Sequence, residues 1–149
     1  MIDYDKLVNT TIKGIKPSGI RKFFDIASEM EDVISLSVGE PDFHTPWHIR
    51  EAGIASLEKG RTRYTPNRGF IQLRQEVSNF LLRHYGVEYL PEKEILVTVG
   101  GSEAIDLCVR SLVNPGDEVL IPEPSFVCYV PITQAAGGVP VIIETQPDN

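Results

Sequence analysis

Basic runs are missing from this sequence. Lysine and arginine together number 14 against 21 aspartates and glutamates, a formal net charge of −7. That balance argues against a nucleic acid or an anionic membrane surface as partner. Long apolar runs are missing too, and no stretch approaches the roughly 18 consecutive apolar residues of a membrane span. The opening segment, MIDYDKLVNT, is polar and has no signal-peptide apolar core. Cysteine is scarce: Cys108 and Cys128 are the only two. Cys108 falls on an apolar helix face, so a buried free thiol is expected there. These features fit a reducing cytoplasm. There is no internal repeat and no low-complexity tract. His44 and His48 lie four apart, but Thr45 and Pro46 intervene and no third ligand is near, which disfavours zinc. Ser37 and Ser125 have no neighbouring histidine–acid pattern, which disfavours a hydrolase. Glu29, Glu31, Glu40 and Asp42 read as loop or solvated-face carboxylates.

What is present is enough for one domain with a core, at 42% hydrophobic residues over 149. The spacing predicts a helix over 18–30 with Ile20, Phe23, Phe24 and Ala27 on one face, then a short strand over 33–39 ending at glycine. A loop over 40–46 leads to Pro46, suited to the first turn of a helix that runs to about Lys59 and stops at Gly60. After the loop RTRYTPNRG (61–69) comes a helix over about 70–85, with Leu73, Val77, Phe80, Leu81 and His84 on one side and Gly86 as its stop. EILVTV (94–99) reads as a strand and is followed by a helix. NPGDEVLIP (114–122) reads as a turn and a strand, Pro131 as the first residue of a helix ending at Gly137 and Gly138, and 139–145 as a last strand. From residue 94 the order is strand, helix, strand, helix, strand, a doubly wound α/β pattern with a parallel sheet. Three parallel strands need cover on both faces, and this chain supplies little more than one. The expectation is therefore the front part of a longer protein.

One junction points to chemistry. In LVTVGGSEAIDLCVRSL (96–112), Leu96, Val97 and Val99 form a short apolar run that stops at Gly100 and Gly101. Ile105, Cys108, Val109 and Leu112 then recur at helical spacing, with Ser102 placed as N-cap. A helix start presents unpaired N–H groups and about half a positive charge, and glycines let an anion come close. Phosphate is the natural candidate. An ordinary capped βα turn is the competing reading, and the pattern alone favours it.

The ordered blocks SLSVGEPDFHTP, RYTPNRGFIQLR, VTVGGSEAI, NPGDEVLIPEPSFVCY and AAGGVPV resemble the N-terminal part of class I aminotransferases, the fold-type-I pyridoxal-phosphate enzymes. The resemblance runs from about Ser18 to about Ile143 and covers well under half of such an enzyme. It implies a partial doubly wound parallel sheet of the large, cofactor-binding domain over residues 46–149. Residues 1–45 would be an N-terminal helical segment of the small domain with the substrate-side loop. It implies pyridoxal 5'-phosphate as cofactor, with Gly101, Ser102 and Glu103 at the positions that give backbone N–H groups and a hydroxyl to its phosphate. Phe126 matches the aromatic position that stacks on the pyridine ring, keeping a π-face without a polar handle. Tyr64 matches a tyrosine whose hydroxyl reaches the phosphate of the neighbouring subunit, which implies a homodimer. Gly39 matches the glycine whose main chain lies against the substrate's α-carboxylate. Taken without the resemblance, these are a core aromatic, a loop tyrosine and a strand-ending turn.

Transamination also needs a Schiff-base lysine that shuttles a proton, an aspartate on the pyridinium nitrogen and an arginine for the substrate carboxylate. In the family these come from later in the chain. None of Lys6, Lys13, Lys16, Lys22, Lys59 and Lys93 lies in a block matching the catalytic-lysine motif. Two functions are therefore expected: part of an aminotransferase acting on an amino acid and a 2-oxo acid, or an inert fragment or interaction module. A carbon–sulfur lyase or a cyclopropane-carboxylate synthase of the same fold is the nearest enzymatic competitor.

Overall fold

The computed structural model describes residues 3–32, 34, 39 and 41–146. They divide into two units, one of residues Glu31–Val97, the other of Met1–Met30 with Thr98–Asn149. The strand expected over 33–39 lies, but for Ile34 and Gly39, outside the described residues.

In the unit of residues 31–97, helix α3 spans Trp47–Glu58 and helix α4 spans Ile71–Tyr85. Glycine ends both. Gly60 takes φ +65°, its N–H bonds Leu57 O at 2.9 Å and the Arg61 N–H bonds Ser56 O at 3.0 Å. Those two bonds are the paired closure that a left-handed residue after a helix allows. Gly86, at φ +67°, closes α4 with its N–H on Leu82 O. The buried residues of α4 are not the apolar ones. Leu73 and Phe80 are about half exposed, while Arg74 and Ser78 are buried. Both have polar partners that permit burial: Ser78 Oγ donates to Tyr89 O at 2.6 Å and Arg74 Nε to Gly69 O at 3.3 Å. Phe80 instead packs on His84, ring centroids 4.3 Å apart.

The segment expected as a strand over 94–99 forms no ladder among the described residues. Its Val97 N–H goes to Arg68 O at 3.1 Å, in a loop. A strand exists only with a partner beside it, and alternation in sequence does not provide one.

In the other unit, helices α1 (Thr10–Gly14) and α2 (Ile20–Ser28) precede helix α5 (Gly100–Leu112). Phe24 and Ala27 are the half-buried members of the face expected on α2; Phe23 is exposed. Strand β1 (Glu118–Glu123), helix α6 (Tyr129–Ala135) and strand β2 (Val139–Glu144) follow as a βαβ unit. The strands pair in parallel from Glu118↔Val139 to Glu123↔Glu144. The described sheet thus has two strands where three were expected. Pro131 is the third residue of α6, not the first. That is tolerable because the first helical N–H to need an internal acceptor is that of Ile132, which bonds Cys128 O at 3.0 Å. Gly137 (φ +87°) and Gly138 end α6 with the same paired closure, on Gln134 O and Thr133 O. Ahead of β1, the backbone and side-chain N–H groups of Asn114 both donate to Asp117, holding its carboxyl below the ordinary carboxylate value.

The core of this unit is thin: Ile121 on β1 and Thr133 on α6. Ile105 and Val109 of α5 line a small apolar cleft with them. Cys108, expected to be buried, is exposed. Helix α5 packs on α6, with Ile105 and Val109 half-buried; Cys108 and Leu112 lie outside that contact and stay exposed.

Candidate functional site

The glycine turn sits where strand-like chain becomes helix. Helix α5 begins at Gly100, three residues earlier than Ser102 as N-cap would put it. Val99 occupies the cap position and Ser102 lies inside the first turn. The cause is Gly100, whose φ of +79° lets the chain turn into the helix without a side-chain cap. Thr98 Oγ1 donates to Gly100 O at 2.9 Å, bracing the turn. The Glu103 carboxylate reaches back and accepts the Val99 N–H. The N–H groups of Gly100, Gly101 and Ser102 precede the first internal helix bond and have no acceptor among the described residues. A Cβ placed on Gly101 would have no atom within 4 Å, so the chain beside this glycine is open. Three N–H groups, a serine hydroxyl and an open approach make a donor set suited to a phosphate. Glu103 stands on the same helix end with its charge already engaged by Val99.

Phe126 lies in the same unit, half exposed and edge-on to Tyr129 with centroids 5.8 Å apart. It lines an open cleft of about 820 Å³ with Ile15, Lys16, Pro124 and Val130. Gly101, Ser102 and Glu103 are not in its walls. Tyr64 belongs to the unit of residues 31–97, fully exposed, lining an open cleft of about 840 Å³ with Arg61, Arg63 and Phe70. Gly39 is exposed in that unit too, with nothing within 4 Å of a Cβ built on it. So the glycine turn and Phe126 share one unit, and Tyr64 and Gly39 share the other.

Sequence patterning missed Arg68 and Arg74. Arg68 Nη1 donates to Glu92 O at 3.1 Å and to Lys93 O at 2.5 Å; Arg74 Nη1 donates to Pro91 O. Periodicity carries no signal for an arginine whose partners are main-chain carbonyls. Among the described residues no cluster of histidine, cysteine, aspartate or glutamate could hold a metal ion.

The family described as aminotransferase class I and II matches residues 31–149. The YugH protein of Bacillus subtilis is 55% identical over 138 residues, 93% of this chain and 36% of that protein. An aspartate aminotransferase of Pyrococcus abyssi is 46% identical over 91% of this chain and 35% of its own length. Among solved structures, a single mutant of the Thermus thermophilus aspartate aminotransferase matches with a TM-score of 0.83 at 36% identity, over 95% of this chain and 38% of that one. The chain thus spans little more than a third of the length of the relatives it matches.

Proposed function

Because the chain belongs to the class I and II aminotransferase family, and carries part of the fold of those enzymes, we propose that it is the N-terminal part of a pyridoxal-phosphate-dependent aminotransferase. The reaction is transfer of an amino group between an amino acid and a 2-oxo acid. The observation that carries this reading is the start of α5: three N–H groups free of internal bonds and Ser102, with open space beside Gly101, where the family resemblance puts the phosphate.

Each residue has a task in this reading. Gly100, Gly101 and Ser102 hold the phosphate by main-chain N–H groups and a hydroxyl, with the backbone at Glu103 continuing the cradle. Phe126 gives an apolar face to the pyridine ring and excludes water from it. Gly39 leaves room for the substrate's α-carboxylate beside its main chain. Tyr64 donates its hydroxyl to the phosphate held by a second copy, which makes the enzyme a cytoplasmic homodimer with sites completed between subunits. When bound, pyridoxal 5'-phosphate supplies the electron sink for loosening the bond at the amino acid's α-carbon. The lysine that moves the proton lies outside residues 1–149, and the division into a small-domain segment (1–45) and a cofactor-binding domain (46–149) follows the same reading.

A coupled assay with glutamate, 2-oxoglutarate and a panel of amino acids tests it. The full-length enzyme with added cofactor is expected to transfer the amino group. The 149-residue chain alone, with no matching lysine, is expected to do no better than free cofactor. A full-length protein that binds no pyridoxal phosphate would overturn the reading.

A further inference from the structure

We propose that Arg68 and Arg74 are positioning residues for Tyr64, holding the loop that carries it through a clamp of main-chain carbonyls. The proposal rests on the role given to Tyr64 above. Its basis is an unusual use of charge. Arg74 is 7% exposed, and no ion pair to it exists among the described residues. A buried cation is costly unless its donors are satisfied, and here the satisfaction comes from carbonyls at two places in the chain: Gly69 O, at the end of the Tyr64 loop, and Pro91 O. Arg68, one residue before Gly69, donates to Glu92 O and Lys93 O.

The receiving carbonyls belong to one turn. Lys93 N and Glu94 N both donate to Leu90 O, at 3.1 and 2.9 Å, and Leu90 N donates to the Glu94 carboxylate at 2.7 Å. The carbonyls of Pro91, Glu92 and Lys93 accept no main-chain donor among the described residues. Such a turn ends like a helix C-terminus, where exposed carbonyls favour a cation. Two guanidiniums cover it: Arg74 spans Gly69 O and Pro91 O with Nε and Nη1, the use a planar fork is suited to, while Arg68 reaches both of its carbonyls from Nη1.

The clamp fixes the loop from a second side. Val97 N donates to Arg68 O at 3.1 Å, and a Cβ on Gly69 would stand 2.7 Å from Val97 Cγ2. Gly69 N in turn bonds Pro66 O at 2.8 Å. Tyr64, two residues before Pro66, has no hydrogen bond of its own among the described residues and is fully exposed. The main chain alone therefore sets where its Cα stands, with no side-chain contact to help. A tyrosine on a clamped loop meets a phosphate without having to order the loop on binding, which is the cost that weakens contacts made by mobile segments.

The test is a coupling measurement on the full-length enzyme, with the cofactor dissociation constant read from cofactor absorbance. Four proteins are compared: wild type, Tyr64→Phe, Arg68→Met and the double variant, with apo-protein melting followed separately. Arg68→Met is expected to weaken cofactor retention about tenfold when Tyr64 is present and not at all in the Tyr64→Phe background. Arg68→Lys, which keeps a cationic donor on a shorter side chain with no fork, is expected to fall between wild type and Arg68→Met, and serves alone if Arg68→Met does not fold. Losses of equal size in both backgrounds, or no loss with Arg68 replaced, would overturn the clamp while leaving Tyr64 in the site. An unchanged dissociation constant for Tyr64→Phe itself would remove Tyr64 from the site, and the clamp's role with it.

Discussion

Gly138 and Gly53 are both glycines in ordered chain, and they are expected to behave in opposite ways. A Cβ on Gly138 would meet Val113 Cγ1 at 2.8 Å, Thr133 Cγ2 at 3.1 Å and Asp117 O at 3.3 Å. One of these is backbone, and Thr133 is the most buried side chain of α6. Nothing there can move cheaply, so Gly138→Ala is expected to destabilise by about 1–3 kcal/mol, the range for overpacking. Gly53 lies inside α3 with nothing within 4 Å of a built Cβ. There the glycine only adds backbone freedom to the unfolded chain, and Gly53→Ala is expected to stabilise by about 0.5–1 kcal/mol. Urea denaturation of the full-length protein checks both signs. A neutral Gly138→Ala would mean that the α6–β2 junction is looser than its contacts imply. The sequence announced Gly138 only as a helix stop; the crowding that makes it irreplaceable arises from Thr133 in the preceding helix and from Val113 and Asp117, more distant in the chain.

At the scale of elements, stops were more legible than starts. Gly60, Gly86 and Gly137 were all readable as helix ends, because a left-handed residue closing a helix is a local matter of φ. The start of α5 was readable less well. Ser102 has the chemistry of a cap, yet Gly100 starts the helix first and Glu103 takes the Val99 N–H that a cap arrangement would leave open. Strands were the least legible, since 94–99 has the apolar pattern without a partner. The anion-binding expectation survives the shift in helix start, because it depends on N–H groups free of internal bonds and not on which residue caps. Phosphate added to the 149-residue chain is expected to move the amide resonances of residues 100–104, weakly and with salt sensitivity, a helix terminus contributing about 0.3–1 kcal/mol near the surface. Gly101→Val fills the open approach and is expected to abolish those shifts. Glu103→Gln keeps a side-chain acceptor for Val99 but removes a negative charge beside the anion, so it is expected to strengthen the binding. Amides that stay still in the parent chain, or a Glu103→Gln variant that binds more weakly, would contradict this account of the turn.

For the whole molecule the deciding balance is between apolar exposure and charge. In the unit that carries the sheet, Val99 is 89% exposed, Leu112 78% and Leu120 64%. Ile142 and Ile143, neighbours on β2, are each more than 40% exposed. A parallel sheet ordinarily has both faces covered, and this much uncovered aliphatic surface drives association. Composition alone suggested an adequate core; which apolar residues would lack a neighbour depended on packing that composition does not encode. Opposing association is a net charge of −7, which makes copies of the chain repel at low ionic strength. Salt should tip the balance. The Debye length shrinks from about 30 Å at 0.01 M to about 8 Å at 0.15 M, so repulsion between copies fades while the apolar term persists. Light scattering on the isolated 149-residue chain is therefore expected to show association that increases with salt across that range. Replacing Leu120 by Lys, which adds a cation but interrupts the apolar face of β1, separates the two terms. If burial of that face drives association, the substitution reduces it even though it makes the chain less negative. If charge alone governs, the less negative variant associates more readily. A chain that stays monomeric at every salt concentration would mean that these side chains are covered in solution by a packing other than the one described.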